Sequence, residues 1–347
     1  MPELPEVETV RRGLAGLLVG RVVRGVTVFD SPKSFPNTPE QVEHFLYGSG
    51  VLAVRRRAKV LMIDLSTDYT LVAHLKMTGQ LVFVGTAPLA SSPILSAKSA
   101  RSALDAGPVV RSAPSFEKSG IYSKAGATPP NATRLSDVEE EVHFGAGHPS
   151  DSLVGELPDR STRVEITFDD GSRLFFNDQR KFGWIKLLPT AEVEQLPFFQ
   201  KVGPEPLDSK TTSEQFIQRV RRRNASMIKP VILDQSVIAG VGNIYADESL
   251  WAAKIHPETR VCSLSDEQLS KLFTEMKKIL QLSIDQGGST AKNYVDAEGR
   301  KGNYLKFANV FRREGQACHR HPDQEIVKIR VAGRGTHICP VCQEVIS

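Results

Sequence analysis

The feature that most constrains this chain is a change of hydrophobic period at Gly203-Pro204-Glu205-Pro206-Leu207. Upstream, short β-branched runs alternate at period two: Arg21 to Phe29, Val51 to Leu65, Thr70 to Val84, and Arg163 to Phe168 turning through Asp169-Asp170-Gly171 into Arg173 to Phe176. Downstream, Ser213 to Arg223, Ile228 to Gln235 and Ser265 to Asp285 carry helical spacing. One layer cannot bury both kinds of face, so the reading is a multi-domain α+β protein with an N-terminal β-sandwich and a C-terminal helical bundle. The boundaries expected are a sandwich domain at 1–200, a linker at 201–210, a helical domain at 211–305 and a terminal module at 306–347. Val51 to Leu65 is expected to pair with Thr70 to Val84 as one hairpin. From about 86 to 143 the pattern dissolves into Ala, Ser, Pro and Gly, which predicts a largely disordered insert within the sandwich.

The first ten residues put three reactive groups side by side. Leu4, Val7, Val10, Leu14, Leu17 and Leu18 recur at helical spacing, Pro5 suits a first turn and Gly20 a stop. With the initiator Met removed, Pro2 presents a secondary amine able to attack an electrophilic carbon and form an iminium, flanked by Glu3 and Glu6. The helix dipole lowers the pKa of such an amine and the two acids raise it, a balance that local sequence leaves open. By itself the segment also reads as an ordinary amphipathic helix with acids at its N-terminus.

Four cysteines in 347 residues, three of them among the last thirty, point to a metal site. Cys318 with His321 and Cys339 with Cys342 are pairs at the spacing that brings two ligands to one metal from a tight turn, which predicts a Cys3His zinc ribbon with one structural zinc. His319 is the competing nitrogen, at poorer spacing. Between the pairs, Glu325 to Ala332 reads as a strand and Gly333-Arg334-Gly335-Thr336 as the turn that exposes Arg334. Gly240-Val241-Gly242-Asn243 runs straight into a helix, whose first N–H groups can hold a phosphate. A net charge of +4 argues for a polyanion partner only weakly. No apolar run reaches spanning length, and the acidic N-terminus is unlike a signal peptide, so a soluble cytoplasmic protein is expected.

Six ordered motifs then resemble one family: the opening Pro-Glu-Leu-Pro-Glu-Val-Glu-Thr-Val, the Arg-Arg-Ala-Lys strand, His74 to Gly79, the Asp-x-Arg-x-Phe-Gly loop from Asp178, the Gly-Val-Gly-Asn-Ile-Tyr turn and the Arg-Gly-Thr-His ribbon. The chain resembles the formamidopyrimidine-DNA glycosylases of the Fpg/Nei family. That resemblance implies a bifunctional glycosylase and lyase acting on oxidised purines in duplex DNA, as a monomer, with the helical domain a helix-two-turn-helix. It implies catalytic roles for Pro2, Glu3, Glu6, Lys59 and Arg334, and DNA contacts for His74, Met77, Arg180, Lys181, Phe182, Lys229 and Asn243. Met77, Arg180 and Phe182 match the trio that fills the gap left by an extruded nucleotide. The segment near Ser289 to Tyr294 matches one that closes over the extruded base. Departures are His321 for a usual cysteine, Lys76 for a common glycine and Lys181 for a common arginine. The other readings are a non-catalytic zinc-ribbon DNA-binding module and an endonuclease VIII-like enzyme for oxidised pyrimidines.

Overall fold

The computed structural model describes residues 2–29, 32–86, 142–147, 155–289 and 303–345. Most of the insert and the segment 290–302 thus lie outside the described residues, and with them all but Ser289 of the expected base-closing loop.

The chain opens with helix α1, Leu4–Leu18. Glu3 is its N-cap, and the Glu6 carboxylate accepts from the Glu3 N–H at 2.9 Å in a capping box, with Pro5 in the first turn where its missing N–H costs nothing. Its apolar residues are buried at the predicted spacing, against strand β2 on one side and the C-terminal helices on the other. The helix therefore joins the two halves of the molecule.

The sandwich consists of two antiparallel sheets. One is β1 (Val23–Val28), β7 (Thr162–Phe168), β8 (Arg173–Asp178), β5 (Gly79–Gly85) and β6 (Val142–Gly147), in that spatial order; the other is β2 (Val51–Arg57), β3 (Val60–Leu65), β4 (Tyr69–His74) and β9 (Trp184–Pro189). A short helix, α2 (Pro39–Phe45), lies between β1 and β2 in the chain. Val26, Leu61, Leu71, Leu81, Phe83, Phe144 and Phe176 fill the space between the sheets, each fully buried side chain contributing roughly 1.5–3 kcal/mol.

Two expectations are corrected here. The run Thr70 to Val84 is not one strand of a hairpin. It breaks between His74 and Gly79, so β4 pairs with β3 in one sheet while β5 crosses to β8 in the other. Both strands are buried on both faces, which left no clean alternation to mark the crossing. The expected insert also ends slightly early, because Val142–Gly147 pairs with Gln80–Gly85 as β6. Gly13 explains how β6 packs on α1: a Cβ there would stand 2.3 Å from the Phe144 ring.

After short helices α3 (Thr190–Val193) and α4 (Pro197–Lys201), the predicted linker leads to α5 (Ser213–Arg221), α6 (Ile228–Leu233), α7 (Asn243–Ala253) and α8 (Asp266–Asp285). Phe216, Ile228, Tyr245, Leu250, Leu272 and Met276 form their core. Strands β10 (Val327–Val331) and β11 (Arg334–Ile338) make the terminal hairpin. Its turn is Ala332-Gly333, both with positive φ, two residues earlier than expected, so Arg334 opens β11 directly at the tip. No helix among the described residues is long and apolar enough to cross a membrane.

Candidate active site

The start of α1 docks on the glycine turn before α7. The Leu4 N–H donates to Gly240 O at 3.0 Å, and a Cβ on Gly242 would fall 2.2 Å from the Glu3 carboxyl carbon. The glycines thus make room for the chain's own Leu4 and Glu3. The N–H groups expected to meet a phosphate here include that of Ile244, which donates to Glu3 Oε1 at 3.2 Å. Pro2, Glu3 and Glu6 are all buried. Burial lifts the Glu3 pKa to about 7, against the pull of Lys59, while the Glu6 charge adds to the rise. Among the described residues the second Glu3 oxygen has no hydrogen-bond partner.

Lys59 sits at the β2–β3 turn, buried, its ammonium donating to Val241 O at 3.0 Å. Burial pulls its pKa down, the Glu3 and Glu6 charges hold it up, and Arg334 adds a further downward push, which places that arginine in the same field. The linker holds this turn in place: Glu205 accepts from the Ala58 N–H and from Arg56 at 2.8 Å, and Arg57 donates to Gly203 O at 3.0 Å. Nothing in the linker's sequence marks Glu205 as the partner of this turn. Glu6 is tied elsewhere. Its Oε1 accepts from the Tyr245 hydroxyl at 2.5 Å and the Ser289 N–H at 2.8 Å, and Tyr245 also meets Ser283 at 2.6 Å.

The second group of predicted residues lies on the loops that follow β4 and β8. His74 is buried against Trp184 and Phe198, and burial and nearby lysines drive its pKa down to about 3, so the ring is neutral. Its Nδ1 accepts from the Lys76 N–H at 3.0 Å, which leaves Nε2 to carry the proton. Met77 and Phe182 are 43% and 52% exposed. Arg180 bridges them: Nη1 lies 3.5 Å from Met77 Sδ, and the guanidinium stacks 4.8 Å from the Phe182 ring centre. Lys181, between them in the chain, is exposed.

Lys229, expected among the DNA contacts, turns inward. Its side chain is buried, with the ammonium 2.6 Å from Asp247 Oδ1 and donating to Thr336 Oγ1 at 2.6 Å. Asp247 also accepts from the His337 N–H at 2.9 Å, and His337 Nε2 lies 2.7 Å from Glu314. Asn243 donates to Gly335 O at 3.0 Å. Both predicted residues thus grip the strand immediately after Arg334, and Arg334 itself is exposed. Nothing local marks Asp247 or His337 as their partners.

Cys318, His321, Cys339 and Cys342 offer ligand atoms within 4.8 Å of one another. Cys318 Sγ and Cys342 Sγ are 3.7 Å apart and His321 Nδ1 is 3.2 Å from Cys342 Sγ, close to the edges of a tetrahedron with metal–sulfur bonds of about 2.3 Å. His319 instead meets Asn309. Three thiolates and an imidazole suit zinc, and they hold one structural ion.

The formamidopyrimidine-DNA glycosylase N-terminal domain matches residues 1–121, its H2TH domain residues 202–295, and the zinc finger found in FPG and IleRS residues 324–345. The formamidopyrimidine-DNA glycosylase of Herpetosiphon aurantiacus is 37% identical, over 99% of this chain and 100% of its own, and that of Pelotomaculum thermopropionicum is 35% identical at the same coverage. This chain belongs to the formamidopyrimidine-DNA glycosylase family. The Lactococcus lactis family member in complex with abasic-site DNA superposes at a TM-score of 0.72 with 30% identity, covering 99% of both chains; a point mutant of that protein, bound to Fapy-dG-containing DNA, gives 0.71 at the same identity, covering 99% of this chain and 100% of its own. The N-terminal domain match ends at residue 121, although β7, β8 and β9 go on to complete this protein's two sheets.

Proposed function

We propose that this protein excises oxidised purines, 8-oxoguanine and formamidopyrimidines, from duplex DNA through a Pro2 Schiff base and then cleaves the strand by β,δ-elimination. As a member of its family it is a DNA glycosylase of base excision repair, and abasic-site lyase activity is typical of that family. The observation that carries the catalytic reading is Glu3: a buried carboxyl whose pKa lies near 7, beside Pro2 and within the field of Lys59. Such a group holds or releases a proton at neutral pH.

In this scheme the nucleotide is extruded from the stack, and the Pro2 nitrogen bonds to the anomeric carbon. The bond to the damaged base breaks, with the base taking a proton as it leaves. Glu3 protonates the sugar ring oxygen as the ring opens, giving the iminium. Its adjacent carbon then loses a proton, and the 3′ phosphate departs; a second elimination releases the 5′ phosphate. Lys59 and Arg334 supply positive charge to the flanking phosphates, with Arg334 held by the grip that Lys229 and Asn243 keep on β11. Met77 and Phe182 replace the lost stacking, and Arg180 hydrogen-bonds the orphaned cytosine. Cys318, His321, Cys339 and Cys342 would hold a zinc that keeps the ribbon folded. The protein works as a monomer in the cytoplasm.

Borohydride trapping tests this directly. Met-processed protein should form a covalent adduct with an 8-oxoguanine·cytosine duplex, and the complete absence of adduct would leave a non-catalytic zinc-ribbon binder. Faster turnover on oxidised thymine than on 8-oxoguanine would favour the pyrimidine enzyme, a reading that the Met77, Arg180 and Phe182 trio speaks against.

A further inference from the structure

We infer that Asp178 is a positioning residue: its buried carboxylate clasps the Met77 loop to the Arg180–Phe182 loop, so that the three side chains enter the DNA as one preformed unit. This rests on the void-filling role proposed above for those three residues.

Asp178 ends β8 and is fully buried, yet among the described residues no arginine or lysine side chain pairs with its carboxylate. It accepts from both loops instead. Oδ1 takes the Thr78 hydroxyl, next to Met77 in the chain, and the Arg180 N–H at 3.2 Å; Oδ2 takes the Gly183 N–H at 2.5 Å. The Thr78 hydroxyl also accepts from the Arg180 N–H at 3.2 Å. One carboxylate thus brackets Arg180, Lys181 and Phe182 from both ends and fastens them to the residue after Met77. The strand beneath is fixed by Arg163, which donates to Asp178 O at 2.9 Å, and by the pairing of Asp178 with Gly79.

Two further observations show that the loops need holding. Lys76 and Lys181, one in each loop, both adopt left-handed backbone, with φ of 51° and 56°; for residues with a Cβ this is uphill, and it persists only where the surroundings enforce it. The loops also expose Met77 and Phe182 to water, so burial of those side chains does nothing to hold them. Charge-assisted bonds to a buried carboxylate are the strongest restraint available to such a loop. A wedge already in its inserted arrangement loses less conformational entropy when it fills the gap.

The test compares Asp178→Asn, Thr78→Val and Arg180→Ala on two substrates: an 8-oxoguanine·cytosine duplex, which needs the gap filled, and a single-stranded abasic site, which has no opposite base and no gap. Asp178→Asn should lower kcat/KM on the duplex roughly tenfold or more, in line with the cost of misplacing a positioned group. Single-strand cleavage should stay at the level of the unmodified protein. Thr78→Val, which cuts one arm and keeps the charge, should show a smaller loss of the same kind and carries the test if Asp178→Asn does not fold. The losses from Asp178→Asn and Arg180→Ala should be less than additive in the double variant, because part of what the clasp positions is then already absent. Full duplex activity in both clasp variants, an equal loss on both substrates, or additive losses in the double variant would each overturn the inference. If Arg180→Ala were itself fully active, the void-filling reading would fall and the clasp with it; an impaired Arg180→Ala beside unimpaired clasp variants would sink the clasp alone.

Discussion

The two working regions of this protein depart from ordinary burial in opposite directions. Around Pro2, charge is hidden: Glu3, Glu6 and Lys59 are each less than 10% exposed. At the wedge, apolar surface is displayed: Met77 and Phe182 stand in water. In the first region charged groups lose hydration, and Glu3 and Lys59 keep shifted pKa values; in the second, apolar groups lose their packing. In the reaction proposed above DNA would reverse both deficits, since phosphates and a developing iminium give the hidden charges work, and stacked bases cover the wedge. Each region is therefore costly in the free protein and satisfied in the complex, which is why each needs its own support. The buried centre is held by the Ile244 N–H at the start of α7, the Ser289 N–H and the Tyr245 hydroxyl; the wedge is held by one carboxylate.

Substitutions can break this contrast. The largest effect belongs to the hidden charges: Glu3→Gln should lower base excision by about 10²–10⁴-fold, the usual share of a positioned acid, measured by single-turnover kinetics. A loss below threefold would remove Glu3 from the chemistry. Next comes the other buried pair, Lys229 and Asp247. Asp247→Asn leaves an ammonium buried beside a neutral amide and should cost about 3–5 kcal/mol in urea unfolding, with Arg334 losing its fixed position, so that binding falls less steeply with salt. Stability indistinguishable from the unmodified protein would mean that the ribbon is held without this pair.

A smaller effect concerns pH. Folding raises the Glu3 pKa from 4.5 to about 7, so the folded protein binds this proton more tightly than the unfolded chain. The stabilisation is complete below pH 4.5 and is lost as pH rises toward 7, by up to about 3 kcal/mol. Glu3→Gln lacks this dependence. Its advantage over the unmodified protein in thermal unfolding should therefore be larger at pH 8 than at pH 4.5, and an equal difference at the two values would show that burial is not what shifts Glu3. The smallest effects lie at the wedge, where Met77→Ala should change stability by less than about 0.5 kcal/mol, because an exposed side chain has little packing to lose, while still slowing excision. Lys76→Gly should stabilise the protein by roughly 1 kcal/mol through relief of the left-handed backbone; destabilisation would show that the Lys76 side chain has a favourable contact of its own.

Some of this was legible in the chain. Periodicity separated the sandwich from the helices, and α1 was readable to within a residue because capping and amphipathic spacing are local signals. The metal ligands were readable too, because a ligand pair in a tight turn is a matter of spacing over a few residues. The crossing of β4 and β5 between sheets was not, since residues buried on both faces show no alternation.

The sequence by itself determined which reactive groups exist and in what order: a proline before two acids, a lysine on a strand turn, a basic aromatic loop and a set of thiols and imidazoles. Only the tertiary structure decided what state those groups occupy. The Ile244 N–H that receives Glu3 lies 241 residues away and the tyrosine that binds Glu6 lies 239 away. Burial and partner charge, which set a pKa or turn inward a lysine expected among the DNA contacts, are made by such distant contacts, and no local pattern carries them.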